Sequence, residues 1–445
     1  MKRIIIVLFS LLISSQCFSI NKIANGSEQY IAALKKITDI MVIDVASPVA
    51  ASRYYAYITL GAYECMTLCN NRQNPSFSNQ IKGYQNIPVD SALINGSDPQ
   101  LAAILAIYTF GQKLLPSGYL LDKDIAVLEK KYAIDKKQQS AFIKTTKIVD
   151  AVIANIVAYS KKDGFNKLNN LPRYIFKESD GYWKQTPPTF MLPVEPHWST
   201  LRTFLIDSSQ QFKPTAPIQY DTTTHSKYYN LVKEVYEISL HKNEEQQNIA
   251  LFWDCNPFAV QRLGHVEFGL KKISPGGHWI GITGIACKKS NASIDKTVLT
   301  HVLVSLTMAD AFIACWDEKY RSNRIRPETV IQNMFERDWK PLIQTPPFPE
   351  YVSGHSVVSS NAAYILTQIF GDNYNYLDDS ELEFGLPSRQ FTSFNAAAEE
   401  ASISRLYGGI HFRDAIEQGN ILGKKIAQYH VEKLAPFFNI ALTSQ

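Results

Sequence analysis

The sequence predicts an all-α protein built of helical bundles with long irregular connections. Three observations carry that expectation. Apolar residues recur at helical spacing through most informative stretches, strand-type alternation is scarce, and several stretches are apolar around more than half their circumference. The last pattern suits helices with neighbours on several sides, so two four-helix-type bundles packed together are expected. A chain of 445 residues can bury a substantial core without disulfide or metal staples.

Taken in order, the chain opens on Met1-Lys2-Arg3 and a largely apolar run over residues 4–13. That run is too short to span a bilayer but suits a signal-peptide core, and Cys17-Phe18-Ser19 offers a small-x-small pattern for cleavage after Ser19. Residues 1–19 are therefore expected to be removed and the mature protein exported, to a periplasm or to the medium. Helical periodicity then marks residues 48–69, 100–115, 122–159, 228–253, 297–319, 356–370, 394–407 and 412–434. A Pro-, Thr- and Ser-rich passage over 185–224 interrupts the helices and sets a boundary near residue 220, between an N-terminal helical region (20–220) and a C-terminal catalytic region (221–445). Trp198, Phe204, Leu205 and Phe212 give the passage enough apolar mass to pack.

Residues 297–316 form the longest apolar run beyond the leader, but His301 and Asp310 inside it point to a buried core helix, and no transmembrane span is expected. The 45 Lys+Arg nearly balance the 41 Asp+Glu, leaving a formal charge of +4 with no basic run, which argues against a nucleic-acid partner and for a small-molecule substrate. Five cysteines remain after the leader, and Cys65 and Cys69, at i,i+4, read as two buried thiols. The acidic stretch holding Asp372, Asp378, Asp379, Glu381 and Glu383 reads as a solvated connection, and His278 as a turn residue with a structural hydrogen bond.

Three passages in the second half carry chemistry. In the first, Lys319 ends a long apolar helix and Pro327 biases Arg326 away from helical geometry, so an ammonium and a guanidinium can converge on one anion. In the second, a proline-rich approach leads to Ser353-Gly354-His355 at the start of a helix. Ser353 is the expected N-cap, free N–H groups and the helix dipole face an anion, Gly354 permits close approach, and His355 is placed to exchange a proton. In the third, Gly408-Gly409 breaks one helix before another begins, bringing Arg405 and His411 to one junction. Asp414, three residues on, is expected to reach His411 and fix its tautomer. Together these supply three cations, an anion nest, a proton donor and a nucleophile, which suits a tetrahedral oxyanion, phosphate or vanadate.

The spacings K-x6-R-P, S-G-H and S-R-x5-H, in that order from Lys319 to His411, resemble the superfamily that joins vanadium-dependent haloperoxidases with type 2 phosphatidic acid phosphatases and bacterial acid phosphatases. The resemblance implies that His411 is the covalent ligand of vanadate in a haloperoxidase, or the phosphohistidine nucleophile of a secreted, metal-independent acid phosphatase. It implies that Lys319, Arg326, Arg405, Ser353 and Gly354 hold the oxygens and that His355 is the acid–base residue. Vanadate is the cofactor on the first reading, with halide and hydrogen peroxide as substrates. On the second there is no cofactor and the substrate is a phosphomonoester. Trp316 and Phe348 resemble pocket residues of soluble chloroperoxidases and favour the first. Val352 stands where the family usually has proline, a departure that could loosen the turn aiming Ser353 and His355.

Overall fold

Helix α1 (Gly26–Ile43) begins where Asn25 and Glu28 form a reciprocal capping box, and α2 (Pro48–Cys69) begins at Ser47, with Pro48 in the first turn where its missing N–H costs nothing. The computed structural model describes residues 25–86, 88–263 and 265–443; the expected signal peptide, residues 1–19, lies outside the described residues. A short α3 (Ser91–Ile94) precedes α4 (Pro99–Leu114), capped by Asp98.

Two stretches expected as single helices are each divided by a new cap. The 122–159 stretch is α5 (Asp122–Tyr132) and α6 (Lys136–Ser160), because the Asp135 carboxylate accepts from Gln138 N and starts a second helix. The 228–253 stretch is α7 (Lys227–His241) and α8 (Glu244–Phe252), separated by the Asn243–Gln246 capping box. There follow α9 (Pro275–Lys289), α10 (Ile294–Ser322), α11 (Pro327–Met334), α12 (Gly354–Phe370), α13 (Phe394–Tyr407), α14 (Arg413–Lys433) and α15 (Ala435–Thr443). Two small antiparallel ribbons complete the described fold, β1 (Val260–Leu263) with β2 (Val266–Gly269), and β3 (Tyr376–Asp378) with β4 (Arg389–Phe391).

The all-α expectation holds, and α10 is its axis. It packs against α2, α9, α12 and α14, and its apolar window is wholly buried, so a helix long enough to cross a membrane is here a core helix. The largest hydrophobic cluster draws on both sides of residue 220, with Tyr57, Leu306 and Ile365 all fully buried in it. The passage over 185–224 packs as expected, with Trp198, Phe204 and Leu205 buried. Asp310 of α10 anchors it by accepting from the backbone N–H groups of Phe204 (2.6 Å), Leu205 (2.8 Å) and Ile206 (3.1 Å), and also bonds His430 Nε2 at 2.9 Å. Cys65, Cys69, Cys255, Cys287 and Cys315 are buried free thiols.

Two local expectations are corrected. His278 is not in a turn but in the first turn of α9, which starts at Pro275 with Ser274 as cap. The acidic stretch after residue 371 is not merely solvated, since Asp378 and Glu381 are buried and both carboxylates approach His278.

Candidate active site

The C-terminal end of α10 delivers the first cations. Asn323 closes the helix in the left-handed conformation (φ 51°), turning the chain so that Arg324 and Arg326 follow in extended backbone. Lys319 is fully buried, and its ammonium donates to the carbonyls of Pro349 (3.1 Å), Glu350 (3.1 Å) and Val352 (2.5 Å). Arg326 donates from Nε to Phe348 O and from Nη1 to Ile410 O, each at 2.9 Å.

These bonds fix the turn before α12. Ser322 Oγ also donates to Tyr351 O (3.2 Å) and Ser353 N to Ala415 O (3.1 Å), so the turn with Val352 in place of proline is tethered at several points. Ser353 caps α12 as expected, accepting from Ser356 N, which leaves the first-turn N–H groups of Gly354 and His355 without intrahelical partners. A Cβ added to Gly354 would sit 3.8 Å from Trp316 and 3.9 Å from Lys319 Cε, so the missing side chain leaves the helix end open between them.

At the α13–α14 junction Gly409 takes φ +78°, a conformation costly to other residues, and Gly408 packs so closely that an added Cβ would meet Ile343 at 2.6 Å. Arg405 lies in the last turn of α13, while His411 and Phe412 precede α14, Phe412 in extended backbone. His411 Nε2 lies 3.2 Å from Arg326 Nη1 and accepts from it; its Nδ1 lies 2.8 Å from Glu350 Oε1 and donates. That tautomer leaves the Nε2 lone pair as the reactive site. Arg405 Nη1 donates to His355 Nε2 at 2.9 Å and to Trp253 O at 2.6 Å.

The structure thus brings together nine of the ten sequence-predicted site residues, Trp316 and Phe348 included, whose rings lie 4.9 Å apart in the cavity wall. Asp414 is the exception. It does not touch His411; its carboxylate takes Arg324 Nη1 (2.6 Å) and Nη2 (2.7 Å). The i,i+3 argument assumed helix, but α14 begins only at Arg413 and the intervening backbone is extended. Glu350, in the proline-rich approach to α12, takes that place. Fully buried, it accepts from His411 Nδ1 and Phe412 N (2.9 Å) on Oε1 and from Arg324 Nε (2.7 Å) on Oε2. A lone acid in a rigid proline-rich approach was the only available signal.

Electrostatically the pocket is short of negative charge. Burial, then Arg405 and His411, holds His355 well below its usual range. Burial, then Arg326 and Lys319, does the same to His411, so both imidazoles are neutral. Burial lowers Lys319 to about 7, with Arg326 adding to the shift against a counter-pull from Cys315. Arg326 Nη2 and Arg405 Nε and Nη2 are buried with no hydrogen-bond partner among the described residues. Each such orphan costs about 1–3 kcal/mol or more when charged, which an oxyanion would relieve. The cavity flanked by His355, Arg405 and His411 holds about 30 Å³, room for a small anion.

Residues 300–338 and 333–439 match the family described as VCPO second helical-bundle domain. Among solved structures, the first bacterial vanadium-dependent iodoperoxidase is 40% identical, with a TM-score of 0.86 over 92% of this chain and 96% of its own. The chain belongs to the vanadium-dependent haloperoxidase family. Two further haloperoxidase structures share the fold at 15% identity: an apo-type bacterial vanadium-dependent chloroperoxidase (TM-score 0.64, covering 89% of this chain and 95% of that one) and a holo-type one (0.63, 95% and 94%). No curated protein matches. Haloperoxidase membership accounts for the K-x6-R-P, S-G-H and S-R-x5-H spacings converging on one cavity.

Proposed function

We propose that His411 Nε2 holds vanadate and that the enzyme oxidises iodide, the halide named for its 40%-identical relative, with hydrogen peroxide. The observation that carries the reading is the set of buried, unpartnered guanidinium donors on Arg326 and Arg405 beside a histidine whose unprotonated nitrogen is Nε2. When bound, vanadate supplies Lewis-acid activation of the peroxide toward attack by halide. Arg326, Arg405 and the Gly354 and His355 N–H groups orient the oxygens. Glu350 keeps the His411 proton on Nδ1, and neutral His355, whose Nε2 lone pair becomes available when Arg405 turns to the oxyanion, is the base that takes a proton from incoming peroxide. Lys319 anchors the turn and adds positive charge behind the oxyanion. Trp316 and Phe348 present an apolar wall that sheds the halide's water.

The test is iodide oxidation by the purified mature protein with hydrogen peroxide, before and after orthovanadate, alongside His411→Ala. Vanadate-dependent turnover absent from the variant is expected. Vanadate-independent hydrolysis of a phosphomonoester by folded protein, with no iodide oxidation, would replace this reading with phosphoryl transfer at His411. We propose in addition that residues 1–19 are removed on export, on the strength of the basic start and apolar run; an intact N-terminus on protein recovered from its native host would count against it.

A further inference from the structure

Beside the catalytic cavity lies a second cluster that the proposed chemistry does not use. Cys255 Sγ, His278 Nδ1 and Glu381 Oε1 form a small triangle with edges of 3.3 Å (S to N), 3.8 Å (S to O) and 3.3 Å (N to O). Tetrahedral zinc with ordinary Zn–S, Zn–N and Zn–O bonds would hold such atoms about 3.3–3.6 Å apart. All three residues are buried, and they come from three separate parts of the chain: the loop after α8, the first turn of α9 and the segment after β3. Support behind the imidazole is also built: His278 Nε2 meets Asp378 Oδ2 at 2.8 Å, and Asp378 Oδ1 is held by Ser380 Oγ (2.6 Å) and N (3.1 Å). A carboxylate bonded to the far nitrogen is the usual support of a metal-ligating histidine.

We infer that Cys255, His278 and Glu381 form a zinc site, with Asp378 orienting His278. A thiolate, an imidazole and a carboxylate suit zinc better than calcium or magnesium, which prefer oxygen alone. Charge points the same way. Two buried carboxylates face one imidazole; Lys272 is engaged by Asp254 at 2.5 Å, and Arg405 lies on the cavity side of Cys255. Binding would release the Cys255 thiol proton and the proton on His278 Nδ1. Cys255 also lines the catalytic cavity, from which a fourth ligand can reach the site.

The site has a structural consequence. The Trp253 ring stacks on His278 (centroids 4.5 Å, 20° between planes), and the Trp253 carbonyl takes the Arg405 Nη1 proton. Zinc would tie the 253–255 segment to α9 and so steady the carbonyl that aims Arg405.

The inference is independent of the vanadate reading, and its test needs no turnover. Mature protein is exposed to zinc, freed of excess by gel filtration and assayed for metal; about one zinc per chain is expected. Substituting cobalt should give a thiolate-to-cobalt charge-transfer band. Cys255→Ser should lose both signals, whereas Cys69→Ser, a buried thiol elsewhere, and His411→Ala should keep them. Asp378→Asn should weaken zinc affinity about 10–100-fold. No bound zinc in the wild-type chain, zinc retained undiminished in Cys255→Ser, or cobalt bound without the thiolate band would each overturn the assignment. The wild-type cobalt spectrum decides the matter if Cys255→Ser does not fold.

Discussion

Replacing Glu350 with glutamine separates charge from shape at the residue that orients His411. The carboxylate accepts three hydrogen bonds, from His411 Nδ1 and Phe412 N on one oxygen and from Arg324 Nε on the other, which also pairs with Arg324 Nη2 at 2.5 Å. An amide has one acceptor oxygen. If it turns that oxygen to Arg324, its NH2 faces Phe412 N–H and His411 Nδ1, driving the imidazole proton to Nε2 and blocking the ligand position. If it turns the other way, its NH2 faces a buried guanidinium. Losing a hydrogen bond to a charged group costs about 1.5–3 kcal/mol. At about 1.4 kcal/mol per decade, vanadate affinity should fall about 10–100-fold. Stability should drop by about 3 kcal/mol, the low end for breaking a buried ion pair, because Arg324 retains Asp414. Titrating vanadate-free enzyme with orthovanadate and reading iodide oxidation gives the affinity, and denaturant unfolding gives the stability. Asp414→Asn provides the contrast, with a vanadate affinity loss about tenfold smaller. A Glu350→Gln enzyme that binds vanadate like wild type, while Asp414→Asn does not, would refute the assignment of Glu350 as the partner of His411.

Three further outcomes are expected. Lys319 sits at about 7 in the anion-free pocket, and a bound anion raises that value, so the complex holds an extra proton above pH 7. Vanadate affinity should therefore be full below about pH 7 and fall by up to about tenfold per pH unit above it, beyond the change from vanadate's own ionisation, and Lys319→Met should lose that extra slope. Arg405→Lys keeps the charge but not the fork that leaves Nε and Nη2 free, so vanadate should bind about 10–100-fold more weakly; an unchanged titration would mean those donors play no part. Asp310→Asn removes a charged acceptor from three backbone N–H groups and His430, so unfolding should cost about 2–4 kcal/mol less, with turnover per folded molecule within about twofold of wild type. A large kinetic defect there would show that the 204–206 turn influences the site.

What the sequence made legible follows the range of the interactions involved. The helix over 394–407 was readable to the residue, because its periodicity is local and Ser393 and Gly408-Gly409 mark its ends. So was the Ser353 cap, whose bond spans three residues. Helix breaks at Asp135 and Asn243 were missed because apolar periodicity outweighed a single capping side chain. The His411–Glu350 bond spans 61 residues, and the Cys255–Glu381 contact 126, distances over which no spacing rule operates. Asp414 was misassigned because proximity in sequence was taken for proximity on a helix face. The six anion-facing residues were found because the three passages, each local, were recognisable as a set.

The long helix α10 acts as a ruler. Asp310 grips the 204–206 turn near its middle, and Lys319 reaches three carbonyls near its end, so both ends of that interval are fixed by unrelated parts of the chain. Adding or deleting one residue between them would turn Lys319 by about 100° and shift it about 1.5 Å. An insertion of about seven residues comes close to restoring the facing, but it would displace the lysine by about two full turns along the axis. Divergence in this interval is thereby confined to exchanges of side chain at fixed length, which leaves wall residues such as Trp316 free to change while the distance from anchor to ammonium is not.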